Sequence, residues 1–195
     1  GELDPTISVG GILKAIGGNI RVGNSEYFVT EACEYTNSFL HFFPKIGVIL
    51  NIDEDHLDFF KDLADIEHSF HDFAALVPER GFIIANADDE GAREAVKGLT
   101  HPVFTFSVKD RSANCYADNV SFFDGYGDFD VVINGLYRAC RDAQIEQGIS
   151  ATLILSFLRH LSEESALQTL EAALPLRPPL WAFQKDKAGT RPALS

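Results

Sequence analysis

The sequence predicts an α/β fold, a mostly parallel sheet flanked by helices, with a small antiparallel piece near residues 114–135. Three observations carry that prediction. Apolar runs without polar alternation recur at Tyr27–Thr30, Ile46–Leu50 and Phe82–Ala85, as parallel strands buried on both faces read. From Ile46 to Phe106, strand and helix patterns alternate in the order strand–helix–strand–helix–strand. Each apolar run ends in polar side chains, and open α/β sheets bind ligands at the carboxyl ends of their strands.

Taken in order, residues 1–25 hold Gly10-Gly11, Gly17-Gly18 and Gly23 and are expected to be loops between short elements. The first strand runs through Tyr27-Phe28-Val29-Thr30 into Glu31-Ala32-Cys33-Glu34. Pro44 keeps any helix from running into the second strand, Ile46–Leu50. Asp62-Leu63-Ala64-Asp65 opens a helix whose stripe is Leu63, Ile66, Phe70, Phe73, Leu76 and Val77, and Pro78 and Gly81 end it. Phe82–Ala85 is the third strand, a short helix passes through Ala95-Val96, and Val103–Phe106 is the fourth strand. Cys115–Val120 and Phe129–Ile133 read as antiparallel strands joined at Gly-Tyr-Gly. Two helical runs are expected over 150–173, with Ser162-Glu163-Glu164-Ser165 as a cap between them. Residues 174–195 hold four of the eight prolines and are expected to be a poorly ordered tail.

Composition narrows the function. A chain of 195 residues with 46% hydrophobic content is long enough for a packed domain. A net charge of −13 disfavours a general nucleic-acid binder, so no nucleic-acid partner is expected. No apolar run has the length of a membrane helix, and no membrane partner is expected. Three cysteines without a CxxC pair favour a reducing, cytoplasmic setting over a disulfide scaffold or zinc ribbon. There is no methionine, which leads to the expectation that the true start lies upstream of Gly1.

The strand ends hold the candidate chemistry. Glu31 at the first tip is a potential Mg²⁺ ligand, or else a solvated loop acid. His56 lies in Asn51-Ile52-Asp53-Glu54-Asp55-His56-Leu57-Asp58, where it could serve as metal ligand, phosphate contact or general base. Asp53, Glu54, Asp55 and Asp58 read mainly as an acidic helix N-terminus. Asn86, Asp88 and Asp89 read as a turn cap, and Cys33 as a small buried core residue. His68 and His71 lie one turn apart and read as surface or boundary residues. No HExxH and no GxxxxGK[ST] occurs in these residues.

Read together, GGxLxxxGGNxRxG at Gly10–Gly23, YFVTEACEY at Tyr27–Tyr35, VILNIDEDHLDFF at Val48–Phe60 and IANADDE at Ile84–Glu90 closely resemble the central domain of the Mur ligases. The EACEY form resembles clostridial members that add L-alanine, and the likeness runs over roughly residues 4–135. It implies a P-loop-NTPase-like domain of an ATP-dependent ligase of peptidoglycan synthesis. In such an enzyme ATP phosphorylates the carboxylate of UDP-N-acetylmuramate, and L-alanine attacks the acyl-phosphate. By the same likeness Glu31 would be a Mg²⁺ ligand, His56 would help hold a second Mg²⁺ near the acyl-phosphate, and Asn51 would lie beside the phosphates. Asn19 and Arg21 fall in the glycine-rich motif, and no role is carried over to them.

The departures are also specific. The family's P-loop is not among these residues, so 1–173 reads as a partial, truncated central domain and 174–195 as an atypical tail. At the family's adenine-contacting segment, the histidine position falls on Ala143 and the asparagines on Gln144 and Gln147. Residues 136–149 and 174–195 read like out-of-frame translation. The polypeptide by itself is expected to show little or no turnover, since ATP lacks its main anchor. A sister ligase (murein tripeptide ligase or folylpolyglutamate synthetase), a non-catalytic folded remnant and a metal-dependent phosphohydrolase remain alternatives.

Overall fold

A computed structural model of the chain describes residues 4–123, 126–133 and 136–144. The chain divides into two compact units, Gly1–Phe42 and Phe43–Ser195.

The first unit is built on a three-stranded sheet. β1 (Thr6–Leu13) pairs antiparallel with β2 (Gly18–Arg21) and parallel with β3 (Phe28–Thr30), in the order β2-β1-β3. The glycine-rich stretch expected to be loops is therefore largely a hairpin. Its glycines hide the strand pattern because they sit where the ladder is irregular. The register shifts between Ser8 and Leu13, across Gly10-Gly11, and Gly17 turns the chain at φ 70°. At the base of the hairpin the Asp4 carboxylate accepts hydrogen bonds from Arg21, from the Asn24 amide at 3.0 Å and from Asn24 Nδ2 at 2.8 Å. Gly23 is needed there, since a Cβ would lie 2.1 Å from the Asp4 carbonyl oxygen. β3 is an edge strand, and Phe28 and Val29 are more than half exposed. The expectation that this strand is buried on both faces is thus corrected.

The second unit contains one six-stranded sheet in chain order. β4 (Ile46–Ile49), β5 (Phe82–Asn86), β6 (Val103–Ser107) and β7 (Cys115–Phe123) run parallel. β8 (Tyr126–Ile133) and β9 (Leu136–Gln144) extend the sheet antiparallel. The mostly parallel sheet with an antiparallel edge is as predicted. β9 is an addition: the stretch that reads as out-of-frame pairs in register with β8, Val132 opposite Tyr137. β4 is an edge strand with Gly47 and Ile49 buried and Ile46 and Val48 exposed. It is buried on one face only, the face on which Gly47 meets Phe73 and Val77. The runs expected over 150–173, the cap at Ser162–Ser165 and the tail at 174–195 lie outside the described residues.

The core has two layers. On one face Ile84, Phe104, Phe106, Cys115 and Val131 interdigitate, each strand contributing alternate residues. On the other face Ile49 and Ile83 meet the helices α1 (Leu63–Ala75) and α2 (Glu90–Ala95) through Ile66, Ala74, Ala92 and Ala95, together with Val77 just past the end of α1. α1 starts where predicted. Asp62 Oδ1 accepts from the Asp65 amide at 3.0 Å, and Asp65 Oδ2 accepts from the Lys61 amide at 3.0 Å. The predicted stripe is narrower in fact: Ile66, Phe73 and Val77 are buried, while Leu63 and Leu76 at its margins are exposed.

Candidate cation and phosphate site

Each candidate residue is placed by its own unit. Glu31 follows β3 directly. Its amide donates to the Ser8 carbonyl at 2.9 Å, which extends the β1–β3 pairing by one bond. Its Oε2 accepts from the Gly10 amide at 2.7 Å, so β1 fixes the carboxylate through a charge-assisted hydrogen bond. A Cβ at Gly10 would come within 3.2 Å of that oxygen. Sequence reasoning missed this contact: the Gly10–Glu31 link spans 21 positions and leaves only a glycine as signal. Cys33 is exposed, which corrects its expected burial. It lies two residues before a 3-10 segment, Tyr35–His41, in which only Phe39 is buried.

In the second unit, the chain leaves β4 and forms a loop pinned at both ends by buried side chains, Ile52 and Phe60. Between those anchors the polar residues face outward. Asn51 Nδ2 donates to Asp53 Oδ2 at 2.9 Å. His56 adopts a left-handed backbone at φ 55°, and its carbonyl accepts from the amides of Phe59 and Phe60, both at 2.9 Å. The His56 amide donates to Asp55 Oδ1 at 2.7 Å, and its Nδ1 lies 3.9 Å from the same oxygen. The acids at 53, 54, 55 and 58 do not form a helix N-terminus, since α1 begins at Leu63 with Asp62 as its cap. A left-handed residue and a buried Phe60 close the chain into turns before the helix can start.

The β5 end behaves as the turn cap predicted. Asn86 Oδ1 accepts from the Asp88 amide at 3.0 Å, and Asp89 Oδ1 caps α2 through the Ala92 amide at 2.7 Å. Asp88 is tied across to β6. It accepts from Ser107 Oγ at 2.5 Å and from the Val108 amide at 2.7 Å.

The donor set suits a hard cation only in part within each unit. Carboxylate oxygen is the ligand type Mg²⁺ prefers, and Mg²⁺ is commonly held by one or two protein groups plus phosphate oxygens and water. Among the described residues no cluster of three or more His, Cys, Asp or Glu side chains is placed to hold a metal alone.

The Mur ligase middle domain family profile matches residues 13–141. The chain belongs to the Mur ligase family. A UDP-N-acetylmuramate–L-alanine ligase from Clostridium novyi is 55% identical over 133 residues, which is 68% of this chain and 29% of that protein. A second Mur ligase, the UDP-N-acetylmuramate:L-alanyl-γ-D-glutamyl-meso-diaminopimelate ligase from Neisseria meningitides, has a similar structure. Its TM-score is 0.67 at 26% identity, covering 83% of this chain and 54% of that one. A third from Thermotoga maritima, solved in complex with ADP, is alike in fold with a TM-score of 0.59, at 16% identity over 80% of this chain and 40% of that one. The chain spans about 30% of the length of the curated relatives it matches. No helix among the described residues is long and apolar enough to cross a membrane.

Proposed function

We propose that this segment serves a cytoplasmic ligase that joins L-alanine to UDP-N-acetylmuramate at the expense of ATP. The observation that carries the reading is the name shared by curated relatives at 50% and 55% identity, each a UDP-N-acetylmuramate–L-alanine ligase. The reaction brings together a carboxylate and a polyphosphate, two anions that repel, and an acyl-phosphate then carries the activated carbonyl to the amine. Mg²⁺, when bound, would neutralise phosphate charge as it develops. Glu31 would hold it through its carboxylate, whose Oε2 already accepts a hydrogen bond from the Gly10 amide and so is held in place. His56 would help hold a second Mg²⁺ through its imidazole, and Asn51, whose Nδ2 already donates to Asp53, would turn its other amide proton toward phosphate oxygens.

The 195 residues contain no GxxxxGK[ST], so ATP has no backbone cradle within them and the isolated polypeptide is expected to turn over little or not at all. The reading is tested by exchanging the matched segment into the Clostridium novyi relative. Phosphate release that requires ATP, UDP-N-acetylmuramate and L-alanine supports it. A folded chimera that releases none, or that accepts only a tripeptide amine, refutes it; the latter outcome would favour the murein tripeptide branch to which the Neisseria structure belongs.

A further inference from the structure

The turn after β5 reaches back across 36 and 37 positions to the loop that carries Asn51. Asn86 Nδ2 donates to the Leu50 carbonyl at 2.9 Å. Asp89 Oδ1 accepts from the Ile52 amide at 3.2 Å. The backbone on each side of Asn51 is thus held by a side chain from the β5–α2 turn. A third contact is steric: a Cβ on Gly91 would lie 2.8 Å from Ile52 Cβ and 3.2 Å from its carbonyl oxygen. Only glycine lets α2 come this close to the loop. Ile52 itself is buried, whereas Asn51 beside it is exposed.

We infer that Asn86 and Asp89 are positioning residues, which fix the backbone of Leu50–Ile52 and thereby aim the Asn51 amide. A side-chain dipole stabilises charge well only if it is oriented beforehand, and a backbone hinge beside it would remove that advantage. Asp89 therefore does two jobs with one oxygen, since Oδ1 also caps α2. The inference rests on reading Asn51 as a phosphate-side group, while the clamp itself rests on the contacts alone.

Amide hydrogen exchange of the 195-residue chain separates the two jobs. Asp89→Ser retains a good helix cap but carries its oxygen one bond nearer the backbone, too short to reach Ile52. It is expected to speed exchange at the Ile52 amide by about tenfold with the α2 amides unchanged, and Asp89→Asn is expected to restore protection. MgADP, added to the full-length Clostridium novyi chimera because these 195 residues hold no GxxxxGK[ST], is the probe of the functional half. It is expected to shift the Asn51 side-chain resonance in the wild type and in Asp89→Asn, and by less than half as much in Asp89→Ser. Unchanged Ile52 exchange in Asp89→Ser, or equal acceleration at Ile52 and throughout α2, overturns the clamp. If MgADP moves nothing in the otherwise wild-type chimera, Asn51 is not a phosphate-side group and the aiming role falls with it, while the exchange data still decide the clamp.

Discussion

Truncating Phe60 tests how the His56 loop is anchored. Phe60 is 3% exposed and belongs to the helix-side core with Ile52, Ile66 and Ile83. Its neighbour Phe59 is 44% exposed. The two rings meet edge to face, with centroids 4.9 Å apart at 85°. Replacing a buried Phe by Ala removes its transfer free energy and leaves a cavity, together about 3–5 kcal/mol. Phe59→Ala loses the same ring pair, worth about 0.5–1.5 kcal/mol, but only part of one side chain's burial, for a total of about 1–2 kcal/mol. Against a domain stability of about 5–15 kcal/mol, Phe60→Ala is a large loss. Urea titration followed by far-UV circular dichroism reads both variants, with equal m-values as the check that the unfolded states are comparable. Phe60→Leu, which refills most of the space, is expected to recover more than half of the loss. A Phe60→Ala cost no larger than that of Phe59→Ala would refute the anchoring argument.

Two further outcomes follow from local geometry. Asp62→Ala removes the α1 cap and is expected to cost about 1 kcal/mol in the same titration, with Asp62→Ser nearly neutral. Asn24, through its side-chain and backbone hydrogen bonds, and then Arg21 hold the Asp4 carboxyl below its usual range. Its stabilisation is therefore present above the ordinary carboxylate pKa and is lost as pH falls through the depressed one. Melting temperatures of wild type and Asp4→Asn should differ by a constant amount at neutral pH and converge in strong acid; a difference that grows on acidification would contradict the sign.

What was legible in the sequence was whatever a short window encodes. β5 is central, and its unbroken apolar run reads correctly. The Asp62 cap and the Ile66–Phe73–Val77 stripe also lie within one helix's reach. Edge status was not legible, because whether β3 and β4 are covered depends on strands distant in the chain. The hairpin of β1 and β2 was masked by glycines at its bulge and turn. The candidate site could be read as residue types and not as a geometry. Glu31, Asn51 and His56 follow strand ends as expected, but Gly10, Asn86 and Asp89 hold their surroundings through contacts 21 to 37 positions long. The left-handed His56 also turned what reads as a helix start into a loop.

The central proposal is that Glu31 and His56 each serve a Mg²⁺ ion that accompanies ATP. Mg²⁺ dependence of phosphate release in the Clostridium novyi chimera tests it most directly. Glu31→Ala and His56→Ala are each predicted to lower kcat by about 100-fold or more and to raise the Mg²⁺ concentration needed for half-maximal rate, as loss of a metal ligand does. Cys33→Ser, two residues from Glu31, is predicted to change neither. Wild-type rate and unchanged Mg²⁺ dependence in Glu31→Ala and His56→Ala would contradict the account.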